Sequence, residues 1–153
     1  MVRRSLCSVV AVLTALTLLS VSAAAASAAM PSGPATVDLT TTKAGPILTT
    51  SKRYTLFAFT KDTPNVDTCV TTFGCAIFWP PLLTSGAPVA GPGVDASLLG
   101  TVSLFGGRTQ VTYNGYPLYG FVGDPFPQMT WYLGFSAFGG NWDAVTASGA
   151  FQS

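Results

Sequence analysis

The chain has 153 residues, of which 48% are hydrophobic and only 8% are charged, a composition that excludes a disordered polypeptide. Its seven basic and six acidic residues form no basic cluster, which argues against binding to nucleic acid. Without a leader segment, the remaining length suits one compact domain.

Residues 1–29 have the pattern of a signal peptide. Arg3 and Arg4 form a basic start, residues 6–21 are largely apolar, and residues 26–29 supply small side chains for cleavage. The apolar stretch is short for a retained membrane helix, so we expect no transmembrane span once this segment is removed. Cys7 lies at the start of this apolar stretch and not after it, so no lipid anchor is expected. These features predict an exported protein found outside the cell.

The mature chain is expected to begin with an N-terminal linker, residues 30–44, followed by a β domain over residues 45–149. Within that domain, residues 54–62 align with residues 116–124 without a gap, and Trp79 aligns with Trp142 after a slip of one residue. This internal similarity predicts two repeats, about 45–100 and about 101–149.

Two cysteines remain in the mature region, Cys69 and Cys75. In an oxidising compartment such a pair favours a disulfide, and the five intervening residues leave enough chain to close it. A redox or metal-handling role for the two sulfurs is the alternative, although the pair lacks Cys-x-x-Cys spacing.

Asn114 and Gly115 form the strongest hairpin signal in the sequence, because a two-residue type I′ turn needs positive φ at both positions. Counting outward predicts four pairs: Tyr113 with Tyr116, Thr112 with Pro117, Val111 with Leu118, and Gln110 with Tyr119. The alternation of side chains then places Tyr119 and Phe121 on one face and Leu118 on the other. By the internal alignment, Phe57 and Phe59 share a face opposite Leu56.

We therefore predict a mainly β fold in which two pseudo-repeated antiparallel β-hairpin units pack into one small domain with little helix. Residues 95–100 are expected to form one helical turn, and residues 123–140 an irregular aromatic segment.

The sequence resembles the bacterial family called "secreted repeat of unknown function", whose members are often predicted lipoproteins with a Tyr-x-(Phe/Trp/Tyr)-x-x-Asp motif. The resemblance spans roughly residues 45–149. It implies export and a repeated unit, but no reaction. The matching segments are residues 56–62, Cys69 with Cys75, residues 79–81, 98–100 and 110–119, Phe121 with Asp124, and residues 140–142.

The chain differs from the family pattern at several places. Phe57 occupies the position of the motif tyrosine, and residues 50–53 lack the usual turn character. Residues 125–132 replace a polar, Gly-rich stretch, and the lipid-attachment signal is missing.

The chain contains no histidine, which excludes Ser-His-Asp and Cys-His catalysis within it. Asp62 and Asp124, at equivalent positions of the two repeats, are the candidates for a hydrolase or a cation-dependent enzyme. We expect instead that each accepts backbone N–H bonds in the turn after its strand. Asp62, Asn65 and Asp67 resemble a calcium loop only weakly.

The leading prediction is a non-catalytic binding module that is extracellular or associated with the cell envelope. We expect no catalytic residues, no metal site and no cofactor. Exposed aromatic side chains are suited to a sugar or peptide ligand, and Trp131 and Tyr132 are the best candidates for exposure. The candidate binding residues are Phe59, Asp62, Tyr119, Phe121, Asp124, Trp131 and Tyr132.

Overall fold

The structure is a computed structural model that describes residues 31–153; the predicted signal peptide lies outside the described residues. The predicted mainly β fold with little helix is confirmed. One short helix, α1, covers Cys75–Phe78, and a 3-10 turn covers Ala96–Leu98. The strands are β1 Thr36–Thr42, β2 Gly45–Thr50, β3 Phe57–Phe59, β4 Val89–Ala90, β5 Leu99–Leu104, β6 Arg108–Tyr113, β7 Tyr116–Pro117, β8 Phe135–Ala137, β9 Gly140–Val145 and β10 Phe151–Gln152.

The first sheet begins inside the segment that we expected to be a linker, residues 30–44, and corrects that expectation. Strand β1 pairs antiparallel with β2, with Leu39 opposite Leu48, and parallel with the short β4. Val37 is fully buried in the core. The threonines of β1 are β-branched and favour strands, a signal that their polarity obscured.

The turn at Asn114 and Gly115 is confirmed, with φ of 49° and 81°. It joins β6 to β7, and both strands belong to the sheet β5-β6-β7. The predicted pairs of Tyr113 with Tyr116 and Thr112 with Pro117 are present.

The hairpin register departs from the prediction at Gln110, which pairs with Leu83 instead of Tyr119. The segment that contains Leu82 enters between the two strands. Leu82 N donates to Leu118 O at 2.8 Å, and Leu82 O accepts from Val111 N at 2.8 Å. The predicted pair of Gln110 with Tyr119 is therefore wrong, because a non-local segment takes the place of the outgoing strand.

Strand β9 is the centre of the remaining sheet. It pairs with β3, with Phe59 opposite Trp142, and also with β8 and β10. These strands carry the aromatic side chains around which the candidate site is built.

Successive side chains point to two separate core clusters, as the alternation predicted. Leu56 and Leu118 pack in one cluster with Val37, Val111 and others. Phe57, Phe59 and Tyr119 pack in the other, together with both cysteines and with Trp79 and Trp142. Strand β3 is therefore buried on both faces, which explains why it contains only apolar residues.

Four aromatic rings form a continuous stack through the second cluster. Trp79 and Trp142 lie parallel, with ring centroids 4.0 Å apart and an angle of 1° between planes. Trp79 also stacks on Phe121 at 4.2 Å, and Trp142 on Phe59 at 4.3 Å. The order of the rings is Phe121, Trp79, Trp142, Phe59.

Residues that the internal alignment makes equivalent also make matching contacts. Phe57 and Tyr119 exchange two backbone hydrogen bonds, each of 2.9 Å. Phe57 meets Trp79 edge-on at 5.1 Å, and Tyr119 meets Trp142 edge-on at 5.1 Å. The division into two repeats stays a prediction, and these contacts support it.

The stack yields a stability prediction with a matched control. Trp142→Ala removes a fully buried ring and its contacts with three aromatic side chains, so we expect a loss of about 3 to 5 kcal/mol in the free energy of unfolding. Trp131→Ala makes the same substitution at an exposed site and should change stability by no more than about 0.5 kcal/mol. Urea unfolding of both variants checks this, and equal losses would refute the assigned role of the stack.

Candidate functional site

Asp62 follows strand β3 and is 4% exposed. Its Oδ1 accepts hydrogen bonds from Thr68 N at 2.8 Å and Thr68 Oγ1 at 2.7 Å, and its Oδ2 accepts from the Tyr119 hydroxyl at 2.6 Å. Burial raises the pKa of Asp62 above its ordinary value, and the three hydrogen bonds partly offset that rise. The predicted backbone N–H bond is present here, so this carboxylate is held within the fold.

The hydrogen bond from the Tyr119 hydroxyl to Asp62 joins the two predicted repeats. Burial raises the pKa of its hydroxyl, and the nearby charges of Asp62 and Asp67 raise it further. The phenol therefore keeps its proton and acts as a permanent hydrogen-bond donor to Asp62.

Asp124 occupies the equivalent place after Phe121, but its surroundings differ. It is 8% exposed, and neither carboxylate oxygen has a hydrogen-bond partner among the described residues. The prediction that it accepts a backbone N–H bond is therefore wrong. Burial alone raises the pKa of Asp124 from 3.8 to about 6.

The turn that carries Asp124 inward depends on Gly123. A Cβ atom added there would lie 2.5 Å from Phe121 Cε1, closer than two non-bonded carbon atoms approach, so the Phe121 ring would have to shift. The glycine leaves room for the Phe121 ring beside the turn.

Asp62 and Asp124 have separate surroundings. Asp62 contacts Thr68 and Tyr119, whereas Asp124 borders a cavity of about 760 Å³ that Asp62 does not line. The pairing of acid and base that a two-carboxylate hydrolase needs has no support in these contacts. Within residues 31–153 no group of three His, Cys, Asp or Glu side chains is placed to hold a metal ion.

Cys69 and Cys75 form the predicted disulfide. Both residues are fully buried in the cluster that contains Trp79. This is the setting predicted for a structural bridge, since a redox pair needs sulfur atoms that solvent can reach.

The remaining candidate residues divide by exposure. Phe59 and Tyr119 are fully buried, and Phe121 and Tyr132 are half-buried and pack on each other with ring centroids 4.4 Å apart. Trp131 is 74% exposed. Among the candidate binding residues predicted from the sequence, Trp131 therefore offers the most surface to a ligand.

The Trp131 loop, residues 125–132, is anchored at its base. Gln128 N donates to Arg53 O at 2.8 Å, and the Thr55 hydroxyl donates to Met129 O at 2.6 Å. The Gln128 amide oxygen, when turned toward Arg53, accepts from its Nη2 at 3.0 Å. Met129 is also buried, so the middle of the loop is held by these hydrogen bonds and by the packing of the Met129 side chain.

Above this base, Phe126 and Trp131 meet edge-to-face with centroids 6.1 Å apart. Phe126 is 52% exposed. The two rings border a groove of about 270 Å³ that is also lined by Thr42, Lys43, Gln128, Met129 and Thr130. We call this the Trp131 groove.

Phe126, Thr42 and Lys43 were not predicted as site residues from the sequence. Thr42 ends strand β1 and Lys43 begins the turn to β2, far from the loop in sequence, so their proximity to it depends on tertiary packing. Phe126 lies in the segment that departs from the family pattern, which was the one available signal.

A small, disulfide-linked, mainly β domain with an exposed aromatic groove is the class that this fold and site define. Within it, residues 100–146 match the family described as a secreted repeat of unknown function, which confirms the predicted resemblance for the second half of the domain. The family description supports an extracellular location. No curated protein and no solved structure matches the chain. Among the described residues, no helix has the length and apolar character to cross a membrane.

The setting of Asp124 predicts an unusual pH dependence. Because its pKa is raised to about 6, the folded state binds more protons than the unfolded state between about pH 4 and 6, and stability falls as pH rises through that window. We expect the change that Asp124→Asn causes in the free energy of unfolding to be more favourable at pH 8 than at pH 4, by on the order of 1 to 3 kcal/mol. Urea unfolding at the two pH values measures the difference.

Asp95→Asn is the control for this experiment. The pKa of Asp95 is lowered by hydrogen bonds from the side chain and backbone of Ser97, so its contribution to stability is lost as pH falls. The pH dependence of the Asp95→Asn effect should have the opposite sign. The same sign in both variants would contradict the account of Asp124.

Proposed function

We propose that the protein is a non-catalytic extracellular module that binds carbohydrate chains of the cell envelope in the Trp131 groove. The observation that carries the proposal is the exposure of Trp131 beside Phe126 on an anchored loop. Two large aromatic rings that contact each other edge-to-face are both held largely in water, and exposed apolar surfaces of this kind mark binding sites.

The composition of the groove favours a sugar over a purely apolar ligand. A sugar ring presents C–H groups on its faces and hydroxyls at its rim, so it pairs an aromatic surface with polar neighbours. In the groove, Trp131 and Phe126 supply the aromatic surface, while Thr130 and Lys43 supply polar groups. A volume of about 270 Å³ suits one ring of a longer chain.

The rigidity of the loop supports the same role. Met129 is buried and the hydrogen bonds to Arg53 and Thr55 fix the backbone on either side of it. A site that is already ordered pays little conformational entropy on binding.

The other two functions considered for this chain have less support. An enzyme would use Asp62 and Asp124, but Asp62 is occupied by three hydrogen bonds and does not line the cavity beside Asp124. A redox accessory would use Cys69 and Cys75, whose sulfurs are buried.

Binding can be tested with purified peptidoglycan, which sediments on centrifugation. We expect the wild-type chain to sediment with it, and we expect Trp131→Ala to weaken the association at least tenfold, or about 1.4 kcal/mol. Phe105→Ala, which removes another exposed aromatic ring outside the groove, is the matched control and should sediment like the wild type. The proposal would be refuted if Trp131→Ala sedimented as much as the wild type, or if none of the three proteins sedimented.

Tryptophan fluorescence gives a second readout of the same site. The chain has three tryptophans, and Trp79 and Trp142 are buried, so quenching by acrylamide reports mainly on Trp131. We expect soluble oligomers of N-acetylglucosamine to protect the wild type from quenching. Protection that persists in Trp131→Phe would place the ligand elsewhere.

A further inference from the structure

The two Asp-containing turns share one backbone hydrogen bond but differ in the donors that reach the carboxylate. Asp62 N donates to Phe59 O at 2.9 Å, and Asp124 N donates to Phe121 O at 3.3 Å. The internal alignment matches Tyr119 with Phe57, and the Tyr119 hydroxyl donates to Asp62 at 2.6 Å.

By the internal alignment, Phe57 is the residue that corresponds to the Tyr119 donor in the turn that contains Asp124. Its backbone pairs with that of Tyr119, and its ring meets Trp79 edge-on as the Tyr119 ring meets Trp142. Phenylalanine has no hydroxyl, so the counterpart of the bond between Tyr119 and Asp62 is missing. Asp124 also has no counterpart of the two Thr68 donors to Asp62, so both of its oxygens are unpartnered among the described residues.

A buried carboxylate without a donor is costly, because it has lost its hydration and gained no hydrogen bond in exchange. Asp124 borders the cavity of about 760 Å³, which we call the Asp124 cavity. Its volume falls in the range of small-molecule sites, roughly 300 to 1,000 Å³. The missing donor can therefore be supplied by a ligand in the cavity.

The lining of the Asp124 cavity indicates the chemistry of that ligand. Pro80, Leu82 and Val122 form apolar walls, and Tyr54 and Phe121 add aromatic rings. Aromatic faces attract cations, and an apolar wall suits an alkyl chain. Besides Asp124, the charged or titratable groups that line the cavity are Lys52 and Tyr54.

We propose that the Asp124 cavity binds a small primary alkylammonium ion, whose N–H groups donate to the carboxylate in place of the hydroxyl that Phe57 lacks. The ammonium supplies charge and several N–H donors at once, and its alkyl chain lies along the apolar walls. Both Asp124 oxygens are covered, so binding requires the cavity wall to move slightly. None of the residues lining this cavity lines the Trp131 groove, and the two proposals stand or fall separately.

The test is a titration of the purified chain with n-butylammonium chloride at pH 7.5, followed by amide NMR. Gly120 and Val122 line the cavity and should show saturable shifts. Neutral n-butanol has the same chain length without the charge and should bind at least tenfold more weakly. Equal affinities for the two compounds would overturn the proposal.

Two variants test the role of the carboxylate and of the missing hydroxyl. Asp124→Asn should weaken n-butylammonium binding at least tenfold, whereas Asp95→Asn changes the net charge equally at an exposed site and should leave it unchanged. Phe57→Tyr should also weaken binding at least tenfold, because the added hydroxyl occupies Asp124. Wild-type affinity in either Asp124→Asn or Phe57→Tyr would overturn the proposal.

Discussion

The contact between Trp79 and Trp142 organises this small domain. The two indoles come from segments far apart in the chain, one just after helix α1 and one on strand β9, and they lie parallel with centroids 4.0 Å apart. Each indole also stacks on a phenylalanine, Trp79 on Phe121 and Trp142 on Phe59. The disulfide at the start of α1 lies in the same cluster and restrains the segment that leads to Trp79. With few charges and short strands, aromatic packing supplies much of the burial that a chain of this size needs.

The same arrangement sets the difference between two carboxylates. Phe57 and Tyr119 face each other across one backbone pair, and each ring lies edge-on to a tryptophan of the stack. The hydroxyl on Tyr119 satisfies Asp62, while Phe57 offers nothing to Asp124. Asp62 is therefore held by Tyr119 and Thr68 as part of the fold, whereas both oxygens of Asp124 are buried without a partner among the described residues.

The Trp131 groove illustrates how an exposed site can be built on a rigid base. Met129 enters the core and Thr55 and Arg53 hold the backbone beside it, which leaves Phe126 and Trp131 facing solvent. The groove is completed by the turn between β1 and β2, so neither segment forms it alone. It shares no lining residue with the Asp124 cavity, so the domain has two sites with different chemistry.

The sequence by itself determined features that depend on neighbouring residues: the turn at Asn114 and Gly115, the alternation that sends Leu56 and Phe57 to opposite faces, and the disulfide across a short loop. Tertiary structure decided what depends on distant segments. Leu82 enters between two strands and ends their pairing, the threonine-rich β1 becomes an ordered strand, and Asp124 is left without a donor. Local conformational preference and side-chain periodicity depend on adjacent residues, whereas the partner of a buried polar atom is set by packing between segments remote in sequence.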